Sequence, residues 1–157
     1  MDVLETPDIL FEDNHLIAVA KPAGIPSTHF DGAIETIDRT VKHYLKNKYQ
    51  KPGNVFLGIV HRLDKPTSGV LLFARTSKAA ARLSEQFRAG AVEKVYWAVI
   101  EGELTPSAGT FDDGLVVDES SGRVEIASAN ATGARRAMST KTPAAPMSLN
   151  SRAQTPG

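Results

Sequence analysis

The sequence predicts an α+β domain built on a mixed, mostly antiparallel sheet with two main helices. Short apolar runs of strand length recur along the chain. Two longer stretches, residues 34–48 and 77–89, instead repeat apolar residues every three or four positions, which is helical spacing. The elements follow in the order strands, helix, strands, helix, strands, and this order indicates an α+β domain.

The chain opens with a predicted hairpin followed by a helix. Residues 8–20, DILFEDNHLIAVA, predict two short strands around a Glu-Asp-Asn-His turn. Residues 21–24, KPAG, then start a loop. The helix over residues 34–48 has an apolar face and a basic face, and a basic helix face is most often simply solvated. The apolar face contains Ile34, Ile37, Val41 and Leu45, and the basic face contains Arg39, Lys42, Lys46 and Lys48.

The middle of the chain contains two apolar runs and the second helix. Residues 55–60, VFLGIV, and residues 69–74, GVLLFA, predict two buried strands, so the HRLDKPTS stretch between them is a loop. Ser77 is the predicted N-cap of the second helix, and Gly90 is placed to end it. The residues predicted to face inward are Ala80, Leu83 and Phe87.

Further strands are predicted in the last third of the chain. Residues 94–100, KVYWAVI, alternate in the way that a strand does. Residues 111–117 and 123–126 predict a hairpin joined by residues 118–122. These segments complete the set of predicted strands.

The C-terminal segment differs in composition from the rest. From residue 127 onward there is no aromatic and no acidic residue, and Ser, Thr, Ala and Pro dominate. Such a segment cannot bury enough apolar surface to offset its ordering entropy. We therefore expect disorder from about residue 138, with residues 1–138 as the folded domain and residues 139–157 as a low-complexity tail.

The charges are sorted along the chain although the net charge is zero. Residues 39–94 have a net charge of +9, between residues 1–38 with −7 and residues 95–125 with −6, and residues 126–157 have +4. A strongly basic segment predicts a polyanionic partner such as nucleic acid. The alternative is that the segments neutralise one another when the chain folds.

Several classes of protein and site are excluded or disfavoured by the residues. There is no cysteine, so disulfides and thiolate zinc sites are excluded. No apolar run approaches the length of a membrane span, and the acidic N-terminal residues do not read as a secretory signal, so we expect a cytoplasmic protein. The four histidines are not spaced as metal ligands, and no P-loop is present, so neither a metal site nor a P-loop nucleotide site is expected.

Asp64 is the one carboxylate in the sequence HRLDKPTSG, which lies within the basic segment, and it stands between Arg62 and Lys65. The positive surroundings favour the charged form of this side chain. A carboxylate can act as a nucleophile at a sugar carbon or stabilise an oxocarbenium-like transition state. The alternative is an ion pair with Arg62 or Lys65 that has no chemical role.

Three stretches of the sequence resemble the RluA-like pseudouridine synthase family. They are ILFEDNHLIAVAKPAG, HRLDKPTSGVLLFAR and KVYWAVIEG, and the resemblance covers roughly residues 8 to 140. It implies an enzyme that isomerises uridine to pseudouridine in structured ribosomal or transfer RNA after flipping the nucleotide out of its helix. It also implies the catalytic fold of that family, no metal or cofactor, no membrane partner and a monomer.

The resemblance assigns roles to individual residues. Asp64 matches the family's nucleophile, Arg62 its arginine that fills the space left by the flipped base, and Tyr96 the tyrosine that stacks on the uracil and helps to remove the C5 proton. Arg62 and Tyr96 have the alternatives of a structural loop partner and an ordinary strand residue. The further candidates for substrate or RNA contact are His61, Lys65, Thr67 and Lys21, although His61 and Thr67 are better explained as residues that shape the loop, and Lys21 as an ordinary loop residue.

The sequence departs from the family near its C-terminal end. A later family motif, T-G-R-x-H-Q-I-R, whose arginine orients the catalytic carboxylate, is absent, and residues 132–136, TGARR, match only its beginning. We therefore expect a domain truncated at the C-terminus, with weak or no activity and poor stability. The alternative functions are a non-catalytic RNA-binding remnant and a carbohydrate hydrolase, the latter weakened by the lack of a second carboxylate in the motif.

Overall fold

The structure, a computed structural model, describes residues 6–29, 35–99, 101–102, 105, 108–118, 123–127 and 135–141, the last of these as backbone alone. The chain forms two compact units, Met1–Val95 and Tyr96–Gly157. Within the described residues there are two helices and two antiparallel sheets, which confirms the predicted α+β fold class.

The sheet of the first unit has the strand order β1-β2-β4-β3, and all its pairs are antiparallel. The strands are β1 (Asp8–Glu12), β2 (Leu16–Lys21), β3 (Gly58–Ile59) and β4 (Gly69–Ala74). The predicted hairpin of β1 and β2 is confirmed. Its turn is held by Asp13, whose Oδ1 accepts the backbone N–H groups of His15 at 2.7 Å and Leu16 at 2.6 Å, as is usual for an Asp that begins a turn.

The register of β2 and β4 determines which loops meet. Lys21, the last residue of β2, lies opposite Gly69, the first residue of β4. The loop that follows β2 and the loop that precedes β4 therefore leave the sheet at the same edge. Gly69 has a φ of +144°, a conformation that side chains with a Cβ rarely adopt, and it allows the chain to turn into β4.

Helix α1 (Ile37–Lys48) covers one face of this sheet and builds the core. Burial of each large aliphatic side chain contributes about 1.5–3 kcal/mol to this packing. The helix predicted for residues 34–48 is confirmed from Ile37 onward, while Ile34 lies outside the described residues. The buried cluster consists of Ile17, Val19, Ile37, Val41, Leu45, Leu57, Leu63, Leu71 and Phe73.

The backbone of a loop completes the N-terminus of α1. The first N–H groups of a helix have no partner within the helix. Here the N–H of Ile37 donates to the carbonyl of Pro26 at 3.0 Å, and the N–H of Asp38 donates to the carbonyl of Ser27 at 3.2 Å. The start of α1 is thereby fixed to the loop that follows β2.

The strand predicted over residues 55–60 is much shorter than expected. Only Gly58 and Ile59 pair with β4, opposite Ala74 and Phe73. Leu57 is buried in the core without being part of a strand. The apolar run reflects burial in this case, and burial does not require backbone pairing.

Helix α2 (Ser77–Arg88) begins at Ser77, the residue predicted as its cap. Thr76, not Ser77, is the N-cap, because its backbone is extended and its side chain accepts the N–H of Ala79 at 3.2 Å. The helix ends before Gly90, as predicted. Its apolar residues are only half-buried, and no residue of α2 is fully buried.

The sheet of the second unit has the strand order β6-β5-β7. Its strands are β5 (Gly109–Val117), β6 (Val124–Ala127) and β7 (Arg135–Lys141), all antiparallel. The predicted hairpin of β5 and β6 is confirmed.

Two predictions for the second half are corrected. Residues 94–99 form no strand, and Val95, Tyr96 and Trp97 are exposed, because alternation alone does not supply a backbone partner. Disorder was expected from about residue 138, but β7 pairs with β5 as far as Lys141, since backbone hydrogen bonds do not require apolar side chains. Residues 142–157 lie outside the described residues.

Candidate active site

The HRLDKPTSG loop joins β3 to β4 and displays Asp64 at its centre. The loop has no regular secondary structure, and the N–H of Thr67 donates to the carbonyl of Asp64 at 3.0 Å, which closes a tight turn. Leu63 is buried in the core, whereas Asp64 is exposed. The neighbouring apolar side chain thus anchors a loop whose carboxylate faces solvent.

Ser27 holds the backbone next to Asp64. Its hydroxyl oxygen accepts the N–H of Leu63 at 3.0 Å, and the hydroxyl donates to the carbonyl of the same residue. Ser27 is 4% exposed, so these hydrogen bonds are shielded from water. Both backbone polar groups of Leu63 are therefore fixed by one side chain from the loop that follows β2.

Lys21 ties the same two loops together from inside the protein. Its ammonium group donates to the carbonyls of Pro22 at 2.9 Å, Ile25 at 2.7 Å and Lys65 at 3.2 Å. Burial lowers the pKa of Lys21, and the nearby charge of Asp64 partly offsets this effect. The three donors are thus used within the protein, in contrast to the phosphate contact considered for Lys21 from the sequence.

His61 connects the loop to β4 and α2. Its Nε2 accepts the N–H of Leu72 at 3.0 Å, and its ring stacks on Phe87 with 5.0 Å between the ring centroids. Burial, and to a lesser extent the charge of Lys94, lowers the pKa of His61. His61, as a neutral imidazole that accepts a backbone hydrogen bond, therefore supports the loop from the side of β4 and α2.

A cavity of about 520 Å³ opens at the side of Asp64. Three of the predicted site residues, Arg62, Asp64 and Lys65, lie together on its wall, and all three are exposed. Within the described part of the chain, Asp64 forms no ion pair with either cation. The remaining lining residues are Pro26, Ser27, Thr28 and Leu63.

The predicted site residues fall into three groups. Arg62, Asp64 and Lys65 lie at one cavity. The side chains of Lys21 and His61 instead make hydrogen bonds within the protein. Thr67, half-buried, contributes its backbone to the turn. Tyr96 belongs to the second unit, where its side chain is 62% exposed.

Sequence reasoning missed the contribution of the loop after β2. Ser27 and Thr28 line the cavity, and Ser27 positions Leu63. The signal was small: two hydroxyl residues follow Pro26 in the stretch KPAGIPST. Small polar residues are common in loops, so the sequence does not single out Ser27 and Thr28. The pairing of β2 with β4 brings them next to the Asp64 loop.

The cavity combines an exposed carboxylate with two flanking cations. Such an arrangement can bind the phosphates of a polyanion while the carboxylate approaches an electrophilic carbon. Among the described residues, no group of three His, Asp or Glu side chains could hold a metal ion. None of the helices in the described ranges combines the length and apolarity that a membrane crossing requires.

Comparisons with known proteins relate this chain to one family of enzymes. A family model described as RNA pseudouridylate synthase matches residues 15–148, which extends past the point near residue 140 where the resemblance was expected to end. The dual-specificity RNA pseudouridine synthase RluA of Vibrio vulnificus is 34% identical over 111 residues, which cover 71% of this chain and 42% of that protein. The tRNA pseudouridine synthase C of Haemophilus ducreyi is 40% identical over 97 residues, which cover 62% of this chain and 38% of that protein.

Two solved structures of pseudouridylate synthase domains have a fold similar to that of this chain. Human RNA pseudouridylate synthase domain containing 4 matches with a TM-score of 0.67 and 28% identity, over 83% of this chain and 51% of that chain. Human RNA pseudouridylate synthase domain containing 1 matches with a TM-score of 0.63 at 23% identity, over 89% of this chain and 53% of that chain, a likeness of fold alone. The chain thus spans less than half the length of the two curated relatives and about half of the two solved chains.

Proposed function

Because the chain belongs to the RNA pseudouridylate synthase family, we propose that it isomerises uridine to pseudouridine in structured RNA, with Asp64 as the nucleophile. The observation that carries this proposal is the state of Asp64: an exposed carboxylate on a cavity wall, between two cations, with no ion pair to either among the described residues. A carboxylate that served only the fold would be expected to pair with Arg62 or Lys65. That pair is not formed among the described residues, so the carboxylate stays open to the cavity, while its charge also lies near the buried Lys21.

The reaction follows from a carboxylate placed against the sugar. An Asp64 oxygen bonds to C1′ as the C1′–N1 bond breaks, and the electron pair of that bond remains on the uracil. The uracil turns over, C5 bonds to C1′, and the carboxylate is released. The proton on C5 leaves and a proton is gained at N1, so that atoms and electrons balance without an oxidant or reductant.

The cations around Asp64 bind the substrate. Arg62 and Lys65 face the cavity, where they attract phosphates of the RNA and Arg62 occupies the space that the flipped base leaves in the helix. Tyr96 stacks on the uracil and assists removal of the C5 proton. The RNA is ribosomal or transfer RNA, by analogy with relatives named as a tRNA pseudouridine synthase and as a ribosomal large subunit pseudouridine synthase. The protein acts as a cytoplasmic monomer without metal or cofactor.

The test uses RNA labelled with tritium at C5 of uridine, because turnover releases that hydrogen to water. The protein should release tritium, and RNA containing 5-fluorouridine should form an adduct with it. Asp64→Asn keeps the shape of the side chain but removes the charge, so it should lower tritium release by at least about a thousandfold. Glu85→Gln, which removes an exposed carboxylate on α2, is the matched control.

Two results would reject the proposal. Unchanged tritium release by Asp64→Asn would show that this carboxylate is not the nucleophile. Salt-sensitive RNA binding by the unaltered chain, without tritium release or adduct, would favour the non-catalytic RNA-binding remnant. The predicted weak activity of this chain stays a prediction that the same assay measures.

A further inference from the structure

The basic residues of α1 do not form one uniform solvated face. Lys48 is held by Glu12 at 2.8 Å and by the hydroxyl of Tyr44 at 2.9 Å, so it belongs to the fold. Lys42 and Lys46 instead line a groove of about 420 Å³ between α1 and the turn that follows it. The basic face predicted from the sequence is therefore divided into a structural part and an open part.

The positive charge of the groove comes from two lysines of α1. The groove is lined by Lys42, His43 and Lys46 from α1 and by Gly53, Asn54 and Val55 from the turn, so no carboxylate is among its lining residues. Lys42 contacts Asp38 at 3.2 Å yet keeps a side chain that is 40% exposed. Lys46 is exposed and, within the described residues, makes no ion pair.

Helix α1 borders both the groove and, at its start, the loop that lines the cavity of Asp64. The first N–H groups of the helix are bonded to Pro26 and Ser27, and both of these residues line that cavity. Residues 39, 42 or 43, and 46 share one face of a helix and span about 10 Å along its axis. A polyanion that enters the cavity can therefore continue along this face without crossing an acidic surface on α1.

We propose that this groove, which we call the α1 groove, binds the phosphate backbone of RNA that flanks the target uridine. The inference rests on the proposed function for the identity of the polyanion. Lysines bind phosphates as point charges without reading the base, so the groove positions the RNA and does not select its sequence. Sequence-independent contacts of this kind make affinity depend on salt.

The test measures the affinity of the protein for an RNA hairpin with a uridine-containing loop at several salt concentrations. Lys42→Gln/Lys46→Gln removes two charges, and the glutamine at position 42 can still donate to Asp38. The slope of log affinity against log salt should become shallower by about 1.4, which corresponds to two lost contacts with single-stranded RNA. Protection of Lys46 from acetylation by bound RNA, without protection of Lys78, would place the contact in the α1 groove.

The matched control is Lys78→Gln/Arg82→Gln. It removes two exposed charges of α2 that are spaced four residues apart, like Lys42 and Lys46 in α1. This double variant should keep the slope of the unaltered protein. Equal losses in the two double variants would overturn the proposal, because affinity would then reflect only the overall charge. A slope unchanged by the α1 substitutions would also overturn it.

Failure of this inference and failure of the proposed function can be told apart. The α1 groove is judged by the salt dependence of RNA binding, whereas the isomerase reaction is judged by tritium release and its loss in Asp64→Asn. If a DNA duplex bound with the same affinity as the RNA hairpin and showed the same slope change, the groove would be a general polyanion site and the assignment to flanking RNA would be wrong.

Discussion

Ser27 and Leu63 are 36 positions apart in the chain, yet the Ser27 hydroxyl makes hydrogen bonds with both backbone polar groups of Leu63. The carbonyl of the same serine accepts the N–H of Asp38 at the start of α1. One residue therefore connects the loop of the candidate nucleophile to the helix that builds the core. The position of Asp64, the residue after Leu63, depends on this connection.

Ser27→Ala is expected to impair both stability and the proposed reaction. The substitution leaves the buried N–H and carbonyl of Leu63 without partners, which costs about 1–3 kcal/mol of unfolding free energy. A shift of the loop by a fraction of an ångström should slow tritium release from C5-labelled RNA by about ten- to a hundredfold. Urea unfolding and single-turnover release measure the two effects, and Ser27→Thr, which keeps the hydroxyl, should restore part of the rate.

The control for this prediction is another buried hydroxyl in the same unit. Thr40 donates to the carbonyl of Thr36, the N-cap of α1, at 3.2 Å, and this hydrogen bond does not involve the Asp64 loop. Thr40→Val should therefore lower stability without changing the rate per folded molecule. If Ser27→Ala retained the full rate, Ser27 would have a purely structural role.

The elements that could be predicted are those whose signal is local. Two short apolar runs around a turn in residues 8–20 identify the hairpin, and helical spacing in residues 37–48 identifies α1, because each signal lies within one short stretch of sequence. The choice between Thr76 and Ser77 as N-cap is different, since both side chains can accept the same hydrogen bond. It is decided by the extended backbone of Thr76, which the sequence does not display.

The parts of the site that could not be predicted depend on distant segments. The motif around Asp64 identifies the carboxylate, but the contact with Ser27 follows from the pairing of Lys21 with Gly69, a relationship between two strands. For Tyr96, by contrast, the local sequence pattern gave a wrong prediction. Its segment alternates like a strand, yet pairing requires a partner that alternation cannot reveal, and the described residues provide none.

Gly58 is expected to tolerate no side chain. A Cβ at this position would lie 2.7 Å from the Cβ of Ala80 and 3.3 Å from that of Ala74, because α2 packs directly on β3. Gly58→Ala should therefore lower the unfolding free energy by about 1–3 kcal/mol, as overpacking does. Urea unfolding measures the loss.

A second substitution isolates the cause of that loss. Ala80→Gly removes the atom that the new methyl group would meet, so the double variant Gly58→Ala/Ala80→Gly should be more stable than the sum of the single effects predicts. Gly53→Ala, where nothing lies within 4 Å of the added Cβ, should change stability little. Strict additivity of the two substitutions would contradict a direct clash.

Glu12 is expected to make stability depend on acid pH. Burial raises the pKa of its carboxyl, but hydrogen bonds from Lys48, Tyr49 and Tyr44 outweigh this effect and lower the pKa to about 2. Since the folded pKa lies below the unfolded value, the stabilisation is present above about pH 4.5 and is lost as pH falls through about 2. At neutral pH it amounts to roughly 2 kcal/mol after allowance for solvent screening.

Glu12→Gln should remove this dependence. Urea unfolding at pH 7, 5 and 3 is expected to show a stability loss for the unaltered protein between the last two values and a much flatter profile for the variant. Glu85→Gln breaks an exposed ion pair with Arg88 and should leave the profile unchanged. Identical profiles for Glu12→Gln and the unaltered protein would show that the network around Glu12 does not stabilise the fold.

His61 is expected to add a second pH dependence closer to neutrality. Its Nε2 must be unprotonated to accept the N–H of Leu72, and burial together with the charge of Lys94 lowers the pKa of the ring. Because the folded pKa lies below the unfolded value near 6.5, the stabilisation is complete above about pH 6.5 and is lost as pH falls through the folded pKa.

Hydrogen exchange of the Leu72 amide, measured from pH 7.5 downward and corrected for intrinsic rates, should show protection decreasing with acidity. His61→Gln, which can still accept this hydrogen bond but cannot titrate, should remove the decrease, whereas His15→Gln on the exposed β1–β2 turn should keep it.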